Sequence, residues 1–225
     1  MTTPVGAAQA GQRSDQRLEA LLEWAKRNRG TAITIAVIAV LGGLLFAWSI
    51  LSRSQQEAAA GTGLGQGRFA WESKNYALAA SELSRVRENY SGTRAAQEAT
   101  IMLAQVRLAQ GQPQQAIEVL SKFAGEANRD YQAQAYGLLG AAYENISRPK
   151  DAAETYQKAA SAARFPFLAA QYLSDAGRAW LAAGDTAQSK AAYEAIVAKY
   201  DSTGTVVEAR VRLGEITKGS AGAGK

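Results

Sequence analysis

The chain has 225 residues, 25 Lys and Arg against 20 Asp and Glu, a formal charge of +5, and neither cysteine nor histidine. No disulfide or thiolate metal site can form, and losing the commonest general base and zinc ligand together excludes most nucleophilic triads and transition-metal sites. Nor does the charge point to nucleic acid: five positive and three negative residues precede residue 30, and the twenty and seventeen that follow alternate in sign rather than gather in a run.

The first predicted element is a short amphipathic helix between Asp15 and Lys26. Leu18, Leu21, Leu22 and Ala25 share one face and the charged residues take the other, in a cytoplasmic tail covering residues 1–30. It reads either as an interfacial stop or as a docking helix for a cytosolic-side partner. An uncharged stretch of 23 residues lies between Arg29 and Arg53. A helix rises about 1.5 Å per residue, so Thr31 to Leu51 covers roughly 30 Å, the thickness of a bilayer's hydrocarbon core. Residues 31–52 are therefore expected to span a membrane once. Arg13, Arg17, Lys26, Arg27 and Arg29 crowd the N-terminal flank, whereas only Arg53 follows before Arg68, which orients the N-terminus to the cytoplasm. Trp24 and Trp48 fall near the two interfaces. A cleaved secretory signal is the competing reading, with Ala58 to Ala60 as a cleavage site. Its apolar core would be only about 7–15 residues long, so an uncleaved signal-anchor is preferred. Within the span, Ala39, Gly43 and Ala47 stand four apart, the small-xxx-small arrangement that lets another membrane helix approach closely.

Residues 53–219 form one soluble domain governed by a repeat. Small residues recur at Gly67, Ala104, Gly140, Gly177 and Gly214, and a second series runs in step through Ala79, Ala116, Ala152 and Ser189. Each member of the second series is followed four residues later by a large one, Leu83, Leu120, Tyr156 or Tyr193. Two phased series at a helical-hairpin period mean that two helices, A and B, cross closely in each unit. The unit with Tyr136, Leu139, Gly140, Tyr143, Ala152, Tyr156 and Ala159 resembles the tetratricopeptide repeat at nearly every signature position. Turns are expected at Gly111 to Pro113, Ser147 to Pro149 and Gly184 to Asp185. Gly61, Gly63, Gly65 and Gly67 are expected to fray or bend the first helix A, because each Gly costs roughly 1 kcal/mol against Ala in a helix interior. A helix from Val206 to Thr217 is expected to cap the stack, and residues 220–225 to form a disordered tail. No stretch alternates with period two, so the predicted class is all-α, a single transmembrane helix followed by a tetratricopeptide-like α-solenoid of about four hairpins.

No cofactor is predicted. The run from Gly61 to Gly67 resembles a phosphate-cradling loop only in composition, since it follows a helix and no strand precedes it, so no nucleotide or small-molecule substrate is expected. The repeat aromatics, Tyr136, Tyr143, Tyr156, Trp180 and Tyr193, are assigned to the core. Projecting the register places Arg68, Trp71, Ile101, Gln105, Leu108, Gln134, Ala141, Glu144, Gln171 and Arg178 on helix A faces lining an inner groove, the surface on which solenoids bind extended segments or partner helices.

The N-terminal RLEALLEWAKRNRG helix, one span and a chain of tetratricopeptide-like hairpins together resemble the YfgM-type family of ancillary SecYEG translocon subunits. What the resemblance implies is a bacterial inner-membrane protein with its repeats in the periplasm. Such a protein would associate with the translocon and a PpiD-like anchored chaperone and pass secreted clients to periplasmic folding factors. No catalytic residue carries over from that family. The alternative is a scaffold subunit of another inner-membrane complex, in envelope, division or bioenergetic assembly. An enzyme built on Ser, Lys and Asp has no motif behind it.

Overall fold

In the computed structural model residues 23–222 are described, and the chain divides between Gln55 and Gln56 into two units. The described residues form helices α1 (Arg29–Glu72), α2 (Tyr76–Asn89), α3 (Arg94–Ala109), α4 (Pro113–Glu126), α5 (Arg129–Asn145), α6 (Pro149–Ala162), α7 (Pro166–Ala182), α8 (Thr186–Lys199) and α9 (Thr205–Gly222), with no strand among them. Most of the expected N-terminal amphipathic helix, with Leu18, Leu21 and Leu22, lies outside the described residues; residues 23–27 are helical. The last helix runs beyond the expected Thr217 to Gly222, three residues into the segment read as a tail, and residues 223–225 are outside the description.

In the first unit the apolar part of α1 has a mean hydropathy of 2.4 over its best window, with none of that window buried. It is the one helix among the described residues long and apolar enough to cross a membrane. Ala39, Gly43 and Ala47 are exposed, and open space surrounds the position a Cβ would take on Gly43.

In the second unit the residues of α1 from Gln56 onward pair with α2 as the first helix A and helix B. The pairs α3 with α4, α5 with α6 and α7 with α8 repeat the arrangement, and α9 is a fifth helix A. The cause is the small-residue register. A Cβ added at Gly67 would stand 2.6 Å from Leu83 Cδ2, at Gly140 2.7 Å from Tyr156 Cε1, and at Gly177 2.7 Å from Tyr193 Cζ. The large residue of helix B therefore lies directly on the small residue of helix A. Ala79, Ala116, Ala152 and Ser189 are fully buried beside these contacts, and Ser189 Oγ donates to the Gly177 carbonyl at 2.8 Å.

The first hairpin corrects one expectation. α1 runs unbroken through Gly61, Gly63, Gly65 and Gly67. Gly63 and Gly67 are buried against Val86 and Leu83, and that close helix contact offsets their intrinsic cost. Gly61 and Gly65 face open space.

Among the described residues four clusters make up the core. They centre on Leu83, Val86 and Leu103, then Leu120 and Leu139, then Tyr156 and Trp180, and finally Tyr193 and Ile196. Each draws on neighbouring helices only, which is the one-dimensional packing of a repeat stack.

The A to B turns are built alike. Lys74, Gly111, Ser147 and Gly184 all have positive φ, at 58°, 69°, 56° and 80°. Around each, the residue itself donates three back, and the next residue donates five back. Lys74 N–H reaches the Trp71 carbonyl and Asn75 N–H that of Ala70, while Gly184 N–H reaches Leu181 and Asp185 N–H reaches Trp180. This is a Schellman termination repeated four times. Helix B then starts on an Asn75 or Asp185 cap, or on Pro113 or Pro149 in the first turn.

Candidate functional site: the helix A layer

Consecutive A helices are tied to one another by side chains. Glu57 of α1 accepts from the Arg94 and Ala95 amides at 3.0 and 2.9 Å, capping the start of α3. Gln97 of α3 accepts from the Asn128 amide at 2.8 Å just before α5. Arg68 of α1 pairs with Glu98 of α3, and Arg178 of α7 pairs with Glu144 of α5.

The predicted groove residues divide into three kinds. Arg68, Gln134, Gln171 and Arg178 are exposed, and Gln105, Ala141 and Glu144 half-buried, so these seven present surface. Trp71 and Leu108 are half-buried and pack on the first and second clusters, with the Trp71 ring 5.2 Å from that of Tyr76. Ile101 does not line a groove. It is 3% exposed, and with Leu120 and Leu139 it fills the second cluster, because the turn of helix A it occupies faces the next hairpin.

Of the predicted residues the structure brings Glu144 and Arg178 together and adds others that the sequence reading missed. Arg178 also donates to Asp175 at 3.1 Å, and Tyr156 Oη donates to Glu144 Oε2 at 2.8 Å. Burial and the hydrogen bond to Glu144 push the Tyr156 hydroxyl well above its ordinary range, so it stays protonated and a donor. Burial also raises the Asp175 carboxyl, with Glu144 and Glu208 adding to the rise against the pull of Arg178. Partial burial works against the Arg178 charge, yet the hydrogen bonds it donates to Glu144 and Asp175 hold its pKa above the ordinary value. The Tyr172 ring lies over Gly137, where a Cβ would stand 2.5 Å from Cε1.

Three of the missed residues had a signal in the sequence. Glu98 and Glu208 occupy the same register as Gln134 and Gln171, so the projection that found the glutamines reaches the glutamates too. Asp175 stands three residues before Arg178, a spacing that pairs charges on one helix face.

The exposed face of the A layer therefore carries amides at Gln105, Gln134 and Gln171, a paired cation at Arg68, and a three-member charge network at Glu144, Asp175 and Arg178. Such a surface can hydrogen-bond an extended backbone or amide-bearing side chains. Among the described residues no group of three or more Asp, Glu, His or Cys side chains is arranged to hold a metal ion.

The tetratricopeptide repeat family profile matches residues 173–203, which are the end of α7, its turn and α8. The fold is similar to that of MamA, at TM-score 0.58 and 20% identity over 72% of this chain and 82% of that one. It is also similar to nearly identical TPR-like repeats from a protein described as a Podosopora anserina kinesin light chain, at TM-score 0.56 and 16% identity over 73% and 88%. No curated protein sequence matches the chain. The described residues thus have an all-helical, TPR-like repeat fold.

Proposed function

We propose that the protein is a non-enzymatic adaptor that displays its helix A layer to other proteins, anchored in the bacterial inner membrane by residues 31–52 with the repeats in the periplasm. The observation that carries this reading is the row of exposed amides and paired charges on consecutive A helices, a surface suited to weak and repeated backbone contacts. An apolar, uncovered stretch in α1 and the cationic residues before it support the anchor. Tethering raises effective concentration, so each contact can be modest.

The resemblance to the YfgM-type family gives the specific form of the proposal. The adaptor is an ancillary subunit of the Sec translocon, and its partners are SecYEG, a PpiD-like chaperone and the secreted clients that pass between them. Photo-cross-linking from Leu108, Gln134, Gln171 and Arg178 in intact cells tests it. The expected result is a spread of secreted polypeptides together with translocon subunits. One stoichiometric envelope or division protein at every position would instead make this chain a fixed scaffold of that complex, and exclusively cytosolic partners would overturn both readings.

A further inference from the structure

The fifth helix A keeps apolar or small residues at positions that the earlier ones mostly bury, the exception being half-buried Gln97 in the register of Val207. Val207 is 66% exposed and Val211 56%, whereas one period earlier Ala170 is 0% and Ser174 7% exposed. Two, three and four periods back, Val211 corresponds to Gly137, Ile101 and Leu64, which are all buried. Gly214 corresponds to Gly177, Gly140, Ala104 and Gly67, which are buried under helix B, yet open space surrounds the position a Cβ would take on Gly214. A terminal repeat that faces water normally turns polar on that side. Here the face stays fit for a helix.

We infer that this face pairs with α9 of a second copy, the two helices lying parallel about a twofold axis. Val207, Val211, Gly214 and Lys218 are spaced by four, three and four, which is the seam of a short two-stranded coil with β-branched Val211 where such dimers favour it. Glu208 and Glu215 flank one side of the seam and Arg210 the other. In an antiparallel pair each flank meets its own kind, setting glutamate against glutamate. In a parallel pair the flanks cross over, and Arg210 of one copy faces Glu215 of the other, five residues on, where coiled-coil charges join. Arg210 forms no ion pair among the described residues, while Glu215 pairs with Arg212 at 3.0 Å and can accept a second cation.

The test is the mass of the full chain in mild detergent by light scattering, with a wild-type dimer expected. Arg210→Glu and Glu215→Arg should each weaken the dimer about tenfold, since each turns two symmetric attractive pairs into repulsive ones, and the double variant should restore it. Gly214→Leu, which fills the seam, should tighten it. Because the chain has no cysteine, Val211→Cys reports directly. A parallel pair sets the two thiols face to face, so oxidation should link it much faster than Lys199→Cys on the exposed side of α8. A monomeric wild type, single charge variants that leave the mass unchanged, or a double variant that fails to rescue would overturn the inference. So would a dimer held by the apolar part of α1 alone, which would ignore Arg210→Glu and leave Val211→Cys unlinked.

Discussion

Whether a helical glycine weakens a helix or is required by it depends on what stands opposite its missing Cβ. At Gly140 and Gly177 a tyrosine ring lies within 2.7 Å of that point, and a rigid, buried ring has nowhere to retreat. Gly140→Ala and Gly177→Ala should each lower stability by about 1–3 kcal/mol, the usual range for overpacking. Gly61→Ala and Gly65→Ala place a methyl in open space and should raise it by roughly 0.5–1 kcal/mol. Urea denaturation of the four variants separates the classes by sign. Gly67, Gly140 and Gly177 were legible because they recur in register with a large residue. Gly63 and Gly137 were not, since Val86 and Tyr172, which cover them, belong to no repeated pair. Asp175 gives a second test at this scale. Its carboxyl is raised in the folded state, so its contribution to stability is complete below the unfolded carboxylate value and is lost as pH climbs through the folded one. Asp175→Asn keeps an oxygen for Arg178 and removes that loss. The melting temperature of the variant relative to the wild type should therefore rise from about pH 4 to pH 7, and a falling difference would assign Asp175 the opposite role.

At the scale of the elements, helix lengths and crossings follow from the two phased series, but the turns follow from a feature only half visible in the sequence. Gly111 and Gly184 announce a left-handed residue, whereas Lys74 and Ser147 occupy the same place in the register without the residue type that marks it. Their strain persists because the hydrogen bonds back to Trp71, Ala70, Glu144 and Tyr143 fix the backbone from both sides. Lys74→Gly and Ser147→Gly should each stabilise the domain by about 1 kcal/mol, and Gly111→Ala and Gly184→Ala should destabilise it comparably, all readable as shifts in urea midpoint at unchanged slope. The groove projection shows the same division. Gln134 and Gln171 lie exposed where helix A meets solvent, whereas Ile101 is buried, because the next hairpin covers a turn that a single-helix projection counts as open. Which flank of helix A a neighbour covers depends on how hairpins stack, and no spacing within one helix encodes that.

For the whole molecule, a repeat stack sums nearest-neighbour contacts, so a 36- or 37-residue period in the sequence was enough to give the architecture. Partners are a different matter. A residue that touches another protein answers to that protein's surface and not to the register, so nothing periodic records it. On the proposed anchoring, the side of the membrane on which the repeats lie decides which partners exist, and the lack of cysteine makes it measurable. Single cysteines introduced for Ser14 in the tail and for Gln188 on the exposed side of α8 can be challenged in intact spheroplasts with a membrane-impermeant maleimide. The five cationic residues before residue 30 are costly to translocate, so Ser14→Cys should label only after lysis and Gln188→Cys before it. The reverse pattern would put the helix A layer in the cytoplasm. The client hand-over and the translocon role would then fail together, while the parallel α9 pair, which depends only on Val207, Arg210, Val211, Gly214 and Glu215, would stand or fall on its own measurement.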